Sequence, residues 1–76
     1  MNKQRRERIQ ELVDQLEVLR QDLESIKDEE QEYMDNMPEN LQQSDRYYAS
    51  EEAVSNLESS IDSIDEAVNC ASEALN

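Results

Sequence analysis

The sequence predicts an all-α protein, an antiparallel two-helix hairpin of the coiled-coil type that assembles into a dimeric four-helix bundle. Two stretches repeat apolar residues at alternating steps of three and four, the spacing of a helix that buries one stripe against another helix. The 76 residues include no Gly and a single Pro. Pro38 falls between the two repeats, where it disfavours continuation of a helix. The whole chain is therefore expected to be one helix–turn–helix unit.

The first repeat predicts a helix over about residues 3–35, with the side chain of Asn2 as its N-cap. Only one charged residue, Glu30, interrupts the apolar positions. Such a residue either specifies the register of the pair or lies where the helix end opens to water. The predicted seam residues of this stretch are Ile9, Leu12, Leu16, Leu19, Leu23, Ile26, Glu30, Tyr33 and Met37.

The turn is expected over residues 36–44, with Met37 and Leu41 folding over the end of the seam. Ser44 is the best N-cap for a second helix over about residues 45–75, and Asp45 suits the positive end of its dipole. The seam residues of this helix are Tyr47, Ser50, Val54, Leu57, Ile61, Ile64, Val68, Ala71 and Leu75. A neighbouring row contains only small side chains: Ala53, Ser60, Ala67 and Ala74.

Two helices of similar length joined by a short turn should pack antiparallel. A turn centred near Asn40 gives the following apolar pairs: Leu12 with Val68, Leu16 with Ile64, Leu19 with Ile61, Leu23 with Leu57, and Ile26 with Val54. The same register sets Arg20 near Glu58 and Lys27 near Glu51. An alternative register is shifted by one heptad, with Leu16 opposite Ala71.

Two helices alone bury little apolar surface against the entropy of ordering the chain, so scaffolds of this size usually need a further stabilising element. No disulfide or metal is expected here. Apolar residues outside the seam remain for a second contact: Val13, Val18, Met34 and Tyr48. We therefore predict a homo-oligomer, with a dimer favoured, or docking on another protein.

The formal net charge is −13, and it is unevenly distributed. Residues 28–76 contain fourteen acids and one basic residue, Arg46. Such a surface repels nucleic acid and anionic lipid. It serves either for solubility or for docking on a basic partner, including mimicry of nucleic acid. The candidate docking face comprises Glu58, Asp62, Asp65 and Glu66.

The sequence offers no catalytic chemistry. Without His, no Ser-His-Asp set can form, and Cys70 has no imidazole to activate it. Carboxylate pairs such as Asp62 with Asp65 or Glu66 occur on every acidic helix, so no metal or other cofactor is predicted. No apolar run approaches a membrane span, and the N-terminus has no apolar signal core. We expect a cytoplasmic non-enzyme in which Cys70 is a reduced thiol, with an intermolecular disulfide as the alternative.

The turn carries a recognisable stretch, Asn36-Met37-Pro38-Glu39-Asn40-Leu41-Gln42, followed by Ser44 and an acidic helix. This arrangement resembles short uncharacterised acidic proteins of bacteriophages and prophages over roughly residues 25–70. The resemblance implies a helical hairpin of phage-related origin, located in the host cytoplasm, and brings no known activity. Local capping explains the motif, but a binding tip formed by Tyr33, Tyr47 and Tyr48 is the functional alternative.

These observations favour a non-catalytic interaction protein, in its most concrete form a phage accessory factor that inhibits a host defence or nucleic-acid-handling protein. A second hypothesis is an oligomeric sponge for an anionic nucleotide signal, bound between subunits by Arg5, Arg6 and Arg8. A third is a purely structural role, as a coiled coil of a virion or an assembly protein.

Overall fold

A computed structural model describes all 76 residues and confirms the helical hairpin. Helix α1 spans Lys3–Asp35, a short 3₁₀ turn covers Glu39–Leu41, and helix α2 spans Asp45–Glu73. The two helices fold back against each other and form an elongated body whose Cα extents are 60 × 15 × 13 Å. Its cross-section is only two helices wide, so every residue lies near the surface.

Both predicted N-caps are confirmed. The backbone N–H of Arg5 donates to Oδ1 of Asn2 at 2.8 Å, and that of Tyr47 donates to Oγ of Ser44 at 3.3 Å. The Ser44 hydroxyl also donates to the carbonyl of Leu41 at 2.6 Å, which closes the turn before α2. These bonds satisfy backbone and side-chain groups that a helix end otherwise leaves to water.

In the turn, Met37 is buried, as expected for a side chain that covers the end of the helix pair. Leu41 was expected to join it, but its side chain remains 41% exposed. The side-chain amide of Gln42 donates a hydrogen bond from Nε2 to the backbone carbonyl of Met37 at 3.3 Å, which holds the turn over the buried methionine.

Helix α2 packs through the predicted stripe. Val54 and Ile61 are buried together with Ser50, and the other stripe positions are half-buried. Because these residues recur at steps of three and four, they follow one side of the helix along its whole length.

Helix α1 packs through a different stripe from the predicted one. Leu12, Leu19 and Ile26 were expected to be buried, yet they are 58%, 55% and 50% exposed. Val13 and Met34, expected outside the seam, are buried instead. The row common to both stripes keeps its place between the helices: Ile9, Leu16, Leu23, Glu30 and Met37. The predicted burial was therefore correct for the common row of α1 and wrong for the row that contains Leu12, Leu19 and Ile26.

The composition of three neighbouring rows on α1 explains why this helix packs through a different stripe from the predicted one. One flank of the common row carries Val13, Arg20, Lys27 and Met34, and the other carries Leu12, Leu19, Ile26 and Tyr33. Turning the first flank inwards brings Arg20 and Lys27 towards the acidic side of α2. Their side chains are 32% and 24% exposed, so their aliphatic stems cover the apolar contact while the charges stay near water.

Candidate interaction surfaces

The two flanks of the hairpin differ in chemistry. The Arg20 guanidinium reaches across to Asp65 and therefore marks the flank where α1 meets the acidic row of α2, which consists of Glu51, Glu58 and Asp65. On the other side of the buried α2 stripe lies the small row, Ala53, Ser60, Ala67 and Ala74. Successive residues of a helix are about 100° apart, so Leu19 lies on the flank turned away from Arg20. One flank is charged, and the other is apolar on α1 and small on α2.

Glu58, Asp62 and Glu66 form an exposed acidic face on α2. Steps of four place the three carboxylates on one side of the helix, where like charges repel each other. None of the three lies in an ion pair. Helix α2 contains one basic residue, Arg46, so the helix cannot neutralise this face itself.

Asp65, predicted to belong to the same face, has a structural contact instead. Its carboxylate accepts hydrogen bonds from Nε and Nη2 of Arg20, and the distance from Nη2 to Oδ2 is 3.2 Å. The side chain of Asp65 is 45% exposed. Arg20 also donates to Glu24 at 2.8 Å. The hydrogen bond to Asp65 raises the pKa of Arg20 above its usual value, although partial burial opposes this. The available acidic face is therefore Glu58, Asp62 and Glu66.

The predicted flanking ion pairs were wrong in detail. Arg20 binds Asp65 rather than Glu58, one heptad further along the same row of α2. Lys27 pairs with Asp28 of its own helix at 3.2 Å rather than with Glu51. Rows that repeat the same charge every seven residues offer a long side chain more than one partner, so spacing alone does not choose between them.

The three tyrosines at the turn do not form one patch. Tyr47 is half-buried and meets Tyr48 edge-to-face, with ring centroids 6.1 Å apart and planes at 79°. Tyr33 is 46% exposed and lines an open groove at the turn with Asn36, Met37, Pro38, Leu41 and Arg46. Tyr33 is thus the last member of the apolar row that contains Leu12, Leu19 and Ile26.

A second open groove lies at the opposite end of α1 and is lined by Met1, Arg5, Arg8, Ile9 and Leu12. It combines two guanidinium groups with apolar side chains. Arg6 does not line it, so only two of the three arginines proposed for a nucleotide site converge there. Both grooves of the molecule therefore lie at the ends of the same apolar row.

The surface shows no further assembled chemistry. No group of three or more His, Cys, Asp or Glu side chains is placed to hold a metal ion. Neither helix has a segment apolar enough to cross a membrane. The thiol of Cys70 is free and exposed.

No protein-family model, no curated protein and no solved structure matches this chain. The fold and the surface by themselves define the class of protein: a negatively charged helical hairpin with one acidic flank and one apolar flank.

Proposed function

We propose that this chain is a non-catalytic interaction protein that binds a basic protein through the acidic face of α2. The observation that supports this most directly is the exposed series Glu58, Asp62 and Glu66, whose mutual repulsion disfavours the folded helix and which no cation of the chain neutralises. A partner rich in Lys and Arg would remove that repulsion on binding. Electrostatic complementarity of this kind speeds association and selects the partner.

The partner class that suits this face best is a host protein that handles nucleic acid, because such proteins carry Lys and Arg surfaces for phosphate. The resemblance of the turn to phage proteins favours a defence or nucleic-acid-handling protein of the host as the target and inhibition in the host cytoplasm as the result. The carboxylates of α2 would then occupy phosphate positions.

The test compares two variants of equal charge. Glu58→Gln/Asp62→Asn/Glu66→Gln removes the acidic face, and Glu11→Gln/Glu17→Gln/Glu32→Gln removes three exposed acids of α1. Proteins captured from host lysate by the wild-type chain are identified, purified and titrated by calorimetry. We expect the α2 variant to bind roughly tenfold more weakly or worse, since three exposed ion pairs are lost at up to about 1 kcal/mol each.

The α1 variant should lose no more than about twofold, because it changes net charge without touching the docking face. Equal losses in both variants would show that only net charge matters, and an unchanged affinity in the α2 variant would reject the face. Competition adds a second readout: duplex DNA should displace this chain from a nucleic-acid-handling partner, and simultaneous binding of both would reject mimicry.

The groove containing Arg5 and Arg8 supports a second candidate, the capture of an anionic nucleotide. Calorimetry with mononucleotides and cyclic dinucleotides tests it directly. A bound nucleotide should release heat with the wild type and none with Arg5→Gln/Arg8→Gln, since both phosphate contacts are lost. No heat with the wild type rejects this candidate and leaves the acidic-face proposal untouched.

A further inference from the structure

Of the two rows that flank the common row of α1, the more apolar one is exposed to solvent. Leu12, Leu19, Ile26 and Tyr33, here called the exposed apolar stripe, recur every seven residues and are 58%, 55%, 50% and 46% exposed. The row turned towards α2 in their place contains two cations, Arg20 and Lys27. A helix that has apolar residues on three adjacent rows is typical of a bundle with more than two helices. This side of α1 therefore presents an apolar surface on which a further helix could pack.

The surface area supports the same conclusion. The chain exposes 5865 Å². A compact monomer of this mass exposes about 4,800 Å². The excess of roughly 1,000 Å² is close to the ~800 Å² that one partner contributes to a stable protein–protein interface.

The charge pattern along α1 selects the partner and its direction. Arg5 and Arg8 lie beside one end of the exposed apolar stripe, and Glu29 and Glu30 lie beside the other. A second copy placed parallel would bring like charges together at both ends. Placed antiparallel, it sets Arg8 opposite Glu29 of the partner subunit and Arg5 opposite Glu30 of the partner subunit, at each end of the contact.

The antiparallel register is also apolar throughout its centre. It stacks the half-buried common row on the partner's exposed apolar stripe: Ile9 on the partner's Ile26, Leu16 on the partner's Leu19, and Leu23 on the partner's Leu12. The two-fold symmetry repeats each pair, which gives six aliphatic layers. Glu30, the one charged member of the common row, gains a cation in this arrangement.

The neighbouring flank of α2 admits such a partner. The small row beside the exposed apolar stripe carries no charge and no side chain larger than Ser: Ala53, Ser60, Ala67 and Ala74. A second helix can approach closely there, while the acids of α2 stay on the far flank. This matters because two chains of net charge −13 otherwise repel each other.

We propose that the exposed apolar stripe is a self-association surface, occupied by α1 of a second copy of this chain running antiparallel. The product is a four-helix bundle in which both acidic faces remain free. This interface does not depend on the proposed basic partner, and its test uses the isolated chain.

The first experiment measures mass by sedimentation equilibrium from micromolar to near-millimolar concentration. The wild type should approach twice the 8.9 kDa chain mass. Leu19→Glu should weaken association roughly a hundredfold or more, because it places carboxylates in the apolar centre of the interface. Val18→Glu is the matched control: Val18 is 58% exposed, adjacent in sequence and about 100° around the helix, so its dimer should persist.

A wild type that stays monomeric throughout, or equal weakening by Val18→Glu, overturns the proposal. A charge swap then tests the direction without altering the apolar residues. Arg8→Glu should weaken the dimer several-fold by facing the partner's Glu29, and Arg8→Glu/Glu29→Arg should restore it. Circular dichroism verifies that each variant is helical. A double variant weaker than the single one overturns the antiparallel arrangement.

Discussion

Ile61→Ala is expected to cost about 2–4 kcal/mol of unfolding free energy. Ile61 is only 6% exposed and is one of five buried apolar side chains in the molecule. A single core in a chain of this size rarely supplies more than about 3–5 kcal/mol, so this truncation removes a large share of the stability. Chemical denaturation followed by circular dichroism measures the loss.

Leu19→Ala is the informative comparison. Leu19 is a large aliphatic residue that the heptad pattern places in the same seam, but it is 55% exposed in the hairpin. At concentrations where the chain is monomeric, its truncation should cost less than about 1 kcal/mol, because little area is returned to water. Equal costs for the two substitutions in the monomer would contradict the observed rotation of α1.

The same comparison repeated at high concentration reports on the dimer. If the exposed apolar stripe associates, the cost of Leu19→Ala should rise with protein concentration, because association stabilises the folded state by mass action. The cost of Ile61→Ala should rise much less, since Ile61 lies within the hairpin.

The sequence predicted the helices well because local signals determine them. The caps at Asn2 and Ser44 and the interruption at Pro38 involve neighbouring residues only, and all three occur where expected. The stripe on α2 was also predictable, because its flanking rows are acidic on one side and small on the other. No second apolar row competes with it.

The rotation of α1 could not be predicted from the same reasoning. Its common row has an apolar neighbour on each side, Leu12 with Leu19 on one and Val13 with Met34 on the other. Counting apolar residues favours the first neighbour, but packing in the hairpin uses the second, which also brings Arg20 to Asp65. Val13 and Met34 were expected to serve a second contact, whereas the hairpin buries both of them in the first.

The candidate acidic face was predicted only in part for a related reason. Composition treats Glu58, Asp62, Asp65 and Glu66 as equivalent acids. Asp65, however, lies about 100° around the helix from Glu66 and forms an ion pair with Arg20. A contact between residues 45 positions apart depends on the rotation of both helices. It therefore lies beyond any pattern within one helix.

Added sodium chloride is expected to raise the melting temperature of the isolated chain by about 5–10 °C. Of the twenty acids, four lie in ion pairs, so sixteen carboxylates repel without a close cation. Screening that repulsion should recover ~1–2 kcal/mol, and each kcal/mol moves the melting temperature of a domain this small by about 4–8 °C. Differential scanning calorimetry at increasing salt measures the rise.

Glu58→Gln/Asp62→Asn/Glu66→Gln is the matched variant, since it removes three of the repelling charges without changing the apolar contact. It should melt higher than the wild type at low salt and respond less to added salt. A melting temperature that falls with salt would show instead that the attraction between Arg20 and Asp65 dominates. Salt therefore separates folding from partner binding: it should stabilise the hairpin and weaken the complex with a basic partner.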